Sequence, residues 1–178
     1  MNHHVHPLIN AETGDLTIRL LGSDGFEDGE AFVMNDPYLA GGTHLPDISI
    51  ITPVFIDRKN CFFVGNIAHH ADVGGPTPGS VSGNSPTIFH EGIRIPPIRI
   101  ARKGRVDHDL INLITQNTRN PIEGALDLQN QIGANERGCV LLNEVVQDHG
   151  LQNIQRAEIS IIKYTKRRIQ NEVNKLPN

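Results

Sequence analysis

Residues 48–68 read ISIITPVFIDRKNCFFVGNIA. Two runs rich in β-branched and apolar residues, Ile48–Ile56 and Cys61–Ala68, flank the polar tetrapeptide Asp57-Arg58-Lys59-Asn60. That length and chemistry suit a hairpin loop between two strands. Both runs are apolar on either face rather than alternating, so at least one strand is expected to be central and covered on both sides.

Working outward from the hairpin, Ala31-Phe32-Val33-Met34 reads as a brief strand stopped by Asn35-Asp36-Pro37. Residues 1–28 are polar and irregular, with one short strand expected over Thr17–Leu21 and a turn over Gly22-Ser23-Asp24-Gly25. On the other side, Gly and Pro crowd residues 74–97, which predicts a long loop, and loops of that length are usually functional or disordered. From residue 107 the spacing turns helical. Asp107 or His108 can cap a short helix through Gln116. Asn120-Pro121 starts a second helix, with Pro at its first position, running to about His149 and ending at Gly150. Gly124, Gly133 and Gly138 weaken it by roughly 1 kcal/mol each against Ala and suggest a kink or a close helix contact. A last helix is expected from about Asn153 to Asn174. Ile154, Ile161, Ile162, Ile169 and Val173 lie on one face of it, and Lys163, Lys166, Arg167 and Arg168 fall in its later half. The expected class is α+β: a mixed β-sheet from the central region with the C-terminal helices packed on it. The expected organisation is an irregular segment, 1–28, and a domain, 29–178.

The 178 residues, 38% of them hydrophobic and 20% charged, are enough for a folded core. The formal charge of −4 argues against a nucleic-acid partner, which needs a basic field. Two cysteines, Cys61 and Cys139, make no disulfide framework and suit a cytoplasmic protein; inside a strand and a helix they read as small buried apolar residues. No apolar run is long enough to span a membrane, and Met1–His6 has neither part of a secretory signal.

Chemistry concentrates in three Gly-rich loops: Asn35-Asp36-Pro37-Tyr38, Gly41-Gly42-Thr43-His44-Leu45-Pro46-Asp47 and His69-His70-Ala71-Asp72-Val73-Gly74-Gly75. Imidazole and carboxylate together suit a divalent metal with positions left open for water and substrate. His44 and Asp47, three apart on a Pro-containing turn, can face one point. His69 and His70 end a strand and point to opposite faces, so only one joins the site and the other orients or packs. Asp36 and Asp72 are candidates to receive the second ring N–H of a ligand histidine. Such a cluster is also compatible with a merely hydrogen-bonded loop. Thr77–Ser80 and Ser82–Ser85 read either as a substrate loop or as turn chemistry. Ser80 has no evident His/Asp relay for a nucleophile. Glu91, beside His90 and Gly92, is an acid/base candidate or an ion-pair partner of Arg94 or Arg99. His3, His4 and His6 read as a solvated tail.

The stretches NDPYLAGGTHLPDISIITPVF, NIAHHADVGGPTPGS and FHEGIRIPPIRI resemble the hydantoinase B/oxoprolinase family over about residues 29–175. That family includes the B components of N-methylhydantoinases, the matching half of 5-oxoprolinases, and subunits of acetone and acetophenone carboxylases. The resemblance implies a divalent metal (Mn, Zn or Fe) held by a His-x-x-Asp pair and a later His, which here are His44, Asp47 and His69. His70, Asp72 and Glu91 are the catalytic candidates beside them. It also implies an A-type partner subunit that binds ATP and phosphorylates an inert amide or carbonyl oxygen, making the carbon electrophilic for water activated at the metal. No GxxxxGK[ST] phosphate loop is present in this chain, which fits ATP acting only through the partner. The implied substrate is a small cyclic amide of the hydantoin or 5-oxoproline type, opened by hydrolysis; carboxylation is a variant, and a catalytically silent assembly or regulatory module is the alternative. B-type chains of the family are considerably longer, so a truncated or partial member is expected. Apolar surface exposed on such a fragment favours an oligomer.

Overall fold

The computed structural model describes residues 4–6 (backbone only), 25–40 and 43–176. The expected strand over 17–21 lies outside them. The strands are β1 (His4–His6), β2 (Ala31–Met34), β3 (Asp47–Ile56), β4 (Lys59–His69), β5 (Ile98–Arg102) and β6 (Arg105–Val106). The helices are α1 (Pro37–Ala40), α2 (His108–Thr115), α3 (Pro121–His149) and α4 (Leu151–Val173), with a single 3-10 turn at Ile88–His90. The α+β expectation holds.

The strands lie in the order β1-β4-β3-β2-β5-β6, and every pairing among the described residues is antiparallel. The sheet is therefore not mixed. A parallel pair needs a long crossover, usually a helix, and here the long helices all follow the last strand. The β3–β4 hairpin turns tighter than the four-residue loop expected. Its two central residues are Asp57 (φ 50°) and Arg58 (φ 65°), the left-handed pair of a type I′ turn. Pro53 is tolerated in β3 because the β2 ladder stops at Ile51, leaving β3 a partner on one side only there. Residues 4–6, expected to be irregular, pair with β4 as β1 and cover an edge that would otherwise stay open.

β3 is central and covered on both faces. On one face Val33, Ile48, Ile50 and Ile100 pack with Ile111 and Ile114 of α2 and with Leu128 and Ile132 of α3. On the other, Phe26, Phe32, Met34 and Ile51 form a smaller cluster, with Phe26 edge-on to Phe32 and Phe63. α2 starts where expected: the Asp107 carboxylate accepts from the Leu110 N–H. α3 starts at Pro121 and stops before Gly150, whose φ of 80° suits glycine.

The chain forms two compact units, residues 1–139 and 140–178. The second holds the C-terminal part of α3 and all of α4. On α4, Ile159, Ile161, Ile162, Ile169 and Val173 are exposed. No helix among the described residues is long and apolar enough to cross a membrane.

Candidate metal centre

β3 begins at Asp47 and β4 ends at His69, and these two residues are partners on the last rung of their ladder. Their side chains share one face. The turn before β3 brings His44 to the same place, with the Asp47 N–H donating to the His44 carbonyl at 3.2 Å. His44 Nε2 and His69 Nδ1 each lie 2.9 Å from Asp47 Oδ1, and the two rings are 5.1 Å apart. Burial works to raise the Asp47 pKa, but the hydrogen bonds from His69 and His44 outweigh it and hold the carboxyl below its usual range.

One ligand atom from each of His44, Asp47 and His69 lies within 4.8 Å of the others. Donors about 2.1 Å from one ion stand roughly 3 Å apart, so two imidazoles and a carboxylate so placed fit a divalent cation. The side chains are 41%, 28% and 56% exposed, which leaves the outer side open to water or a small substrate.

The alternation along β4 turns His70 the other way. It is 3% exposed, and its Nε2 lies 2.9 Å from Gln131 Oε1. Asp72 is also buried. Its carboxylate accepts from the N–H groups of Gly74, Gly79 and Arg119 and from the Arg119 guanidinium at 2.7 Å. Burial alone would raise its pKa; these donors hold it below the ordinary range. Asp36 is equally engaged: one oxygen caps α1 through Tyr38 and Leu39, and the other takes two N–H groups of Arg94. None of these contacts is with His44 or His69, so both aspartates organise loops rather than orient a ligand ring. Glu91 is half-buried at the end of the 3-10 turn. Neither expected arginine pairs with it: Arg94 pairs with Asp36, and Arg99 lies 2.7 Å from Glu30 without hydrogen-bond alignment.

The long loop is ordered by internal bonds. Ser80 Oγ donates to the Gly74 carbonyl and accepts from the Val73 N–H. Arg119 also donates to the Gly75 carbonyl at 2.7 Å. Gly92, at φ 141°, lies so close to the Val73 carbonyl that a Cβ would collide with it. Asn35 does the same work one layer away: its amide donates to the Leu45 and Ile93 carbonyls and accepts from the Ile95 N–H. The Asn-Asp-Pro-Tyr stretch thus holds the turn that carries His44.

Sequence reasoning missed a buried amide seam between α3 and the hairpin. Asn66, Gln131 and Asn135 are each at most 4% exposed and bond one another and the backbone of both strands. The signal was there: Gln131 and Asn135 share the helical face of Leu128 and Ile132, where polar residues require partners.

The pattern of the family described as hydantoinase B/oxoprolinase matches residues 3–178, so the match takes in residues before position 29. The chain is 39% identical to 5-oxoprolinase 1 of Arabidopsis thaliana over 144 residues, covering 74% of this chain and 11% of that protein. It is 37% identical to the 5-oxoprolinase of Dictyostelium discoideum over 134 residues, covering 75% and 10%. Among solved structures, the ATP-dependent caprolactamase of Pseudomonas jessenii superposes with a TM-score of 0.81 at 27% identity, over 94% of this chain and 29% of that one. The chain spans between 10% and 26% of the length of the curated relatives it matches first.

Proposed function

Because this chain belongs to the hydantoinase B/oxoprolinase family, we propose that it is the metal-binding part of a hydrolase that opens a small cyclic amide of the hydantoin or 5-oxoproline type. The observation that carries this reading is the convergence of His44, Asp47 and His69 within 4.8 Å on an open face. A divalent cation bound there supplies Lewis acidity and water activation near neutral pH. The chain's own residues do the rest: His44 and His69 offer imidazole nitrogens, and Asp47 offers a carboxylate oxygen. Glu91 takes the proton of the attacking water; among the described residues its carboxylate is in no ion pair. His70 and Asp72 act by position, since both are already engaged inside the fold.

ATP chemistry belongs to an A-type partner in this reading. An amide carbonyl is resonance-stabilised and resists water; phosphorylation of its oxygen makes the carbon electrophilic and gives a leaving group. Support comes from the ATP-dependent caprolactamase to which the chain is similar. Neither Cys61 nor Cys139 is in a disulfide, in keeping with a cytoplasmic place.

The test is metal content of untagged protein. About one Mn, Zn or Fe per chain is expected, lost in His44→Ala/His69→Ala, followed by ATP-dependent ring opening when an A-type partner is added. No metal after reconstitution would end the reading. The second reading, an assembly module, is favoured by the exposed isoleucines of α4. It predicts self-association or partner binding that His44→Ala leaves unchanged and Ile162→Lys/Ile169→Lys weakens.

A further inference from the structure

Strand ends fray, and Asp47 and His69 form the last rung of the β3–β4 ladder. Something must hold that rung for the two side chains to stay 2.9 Å apart. On the far face of the hairpin one side chain grips the residue after each of them. Gln131 of α3 donates from Nε2 to the Ile48 carbonyl at 2.9 Å, and its Oε1 meets His70 Nε2 at 2.9 Å. Ile48 follows Asp47, and His70 follows His69.

The orientation of the amide follows from its partners. The Ile48 carbonyl can only accept, so the amide nitrogen faces it, and the oxygen is left for His70, whose Nε2 then carries the proton. The second amide N–H goes to Asn66 Oδ1 at 2.8 Å, and the Gln131 backbone carbonyl accepts from Asn66 Nδ2 at 2.7 Å. Gln131 is 4% exposed, and its side chain has no hydrogen-bonding group left over. The Pro46 carbonyl ties the same two residues together from the chain itself, accepting from the N–H groups of both Ile48 and His70.

We propose that Gln131 is the positioning residue of the metal centre, setting the separation and direction of Asp47 and His69 by clamping Ile48 and His70 from the opposite face of the hairpin. The proposal rests on the metal reading for its consequence. Ile48 and His70 are the next residues along the chain from Asp47 and His69, so a shift or twist at either is transmitted through the backbone directly to the ligand rung. Residues outside the ligand shell that orient ligands typically change metal affinity about 10–100-fold when removed. Asn135, one helical turn further on, provides the control. It belongs to the same buried seam but bonds the Ile50 and Val64 carbonyls and Thr52, away from the strand ends.

The experiment compares wild type, Gln131→Met and Asn135→Leu. Co2+ affinity is measured by titration of the metal-free proteins, and the His69 ring resonances are recorded by NMR without metal. Both variants are expected to lower Tm. Only Gln131→Met is expected to weaken Co2+ binding tenfold or more and to move the His69 ring signals. If Gln131→Met does not fold, Gln131→Glu, which keeps an acceptor for His70 and removes the donor to Ile48, is read the same way. Wild-type affinity and ring signals in the Gln131 variant, or equal changes in Asn135→Leu, would overturn the proposal. Should wild type bind no Co2+, the metal reading fails, and the ring signals alone decide whether Gln131 positions the rung.

Discussion

At the scale of single residues, the same side-chain types serve opposite ends. Asp47 faces outward between two imidazoles, whereas Asp72 is buried under four donors. Their neighbours in sequence look alike; the strand face and loop path separate them. Glu91 tests the chemical part of the assignment. Glu91→Gln is expected to reduce ring opening by about 10²–10⁴-fold while the metal content stays that of wild type. Parallel turnover assays and metal analysis check this, and loss of metal would remove Glu91 from the acid/base role. Ser80 tests the architectural part. Ser80→Ala strands the Val73 N–H and the Gly74 carbonyl, and should lower unfolding free energy by roughly 1–3 kcal/mol with Co2+ affinity unchanged. Urea unfolding alongside a Co2+ titration reads both.

At the scale of elements, α3 separates glycines by what lies beside them. A Cβ on Gly138 would sit 2.8 Å from Val64 Cγ1, so the helix can lie against β4 only because the side chain is absent. A Cβ on Gly133 meets nothing within 4 Å. Gly133→Ala is therefore expected to stabilise the protein by about 1 kcal/mol, the helix-propensity difference. Gly138→Ala should destabilise it, because overpacking a stiff Val outweighs the same propensity gain. Thermal denaturation of the two variants side by side decides the matter, and equal shifts would contradict the close approach. The expected close helix contact was thus legible as one of three glycines, but which one depends on the helix face turned to the sheet.

For the whole molecule, two buried aspartates tie loops together across long sequence separations: Asp36 to Arg94 and Asp72 to Arg119. Burial would raise both pKa values, yet their hydrogen bonds and arginine partners hold both below the ordinary range. The unfolded chain then binds protons more readily than the native one, so stability rises with pH through this window. Their contribution is fully present above the usual aspartate pKa of about 4 and is lost as pH falls through the lower native values. Unfolding free energy measured from pH 5 downward should fall more steeply in wild type than in Asp72→Asn, once the lower starting stability of the variant is taken as its baseline. Parallel slopes would show that the pair does not carry this linkage.

The sequence by itself determined the hairpin, the α+β class, the starts of α2 and α3, the convergence of His44 and Asp47, and the opposite facing of the two adjacent histidines. Each of these rests on local physics: strand alternation, capping, and the reach of residues a few positions apart. Tertiary structure alone decided the antiparallel sheet order, the placing of Asp36 and Asp72 as loop anchors, and the grip of Gln131 on the strand ends. Those outcomes depend on donors and acceptors brought together from 47 to 83 residues away. A buried polar group must find its partner wherever the packed chain puts one.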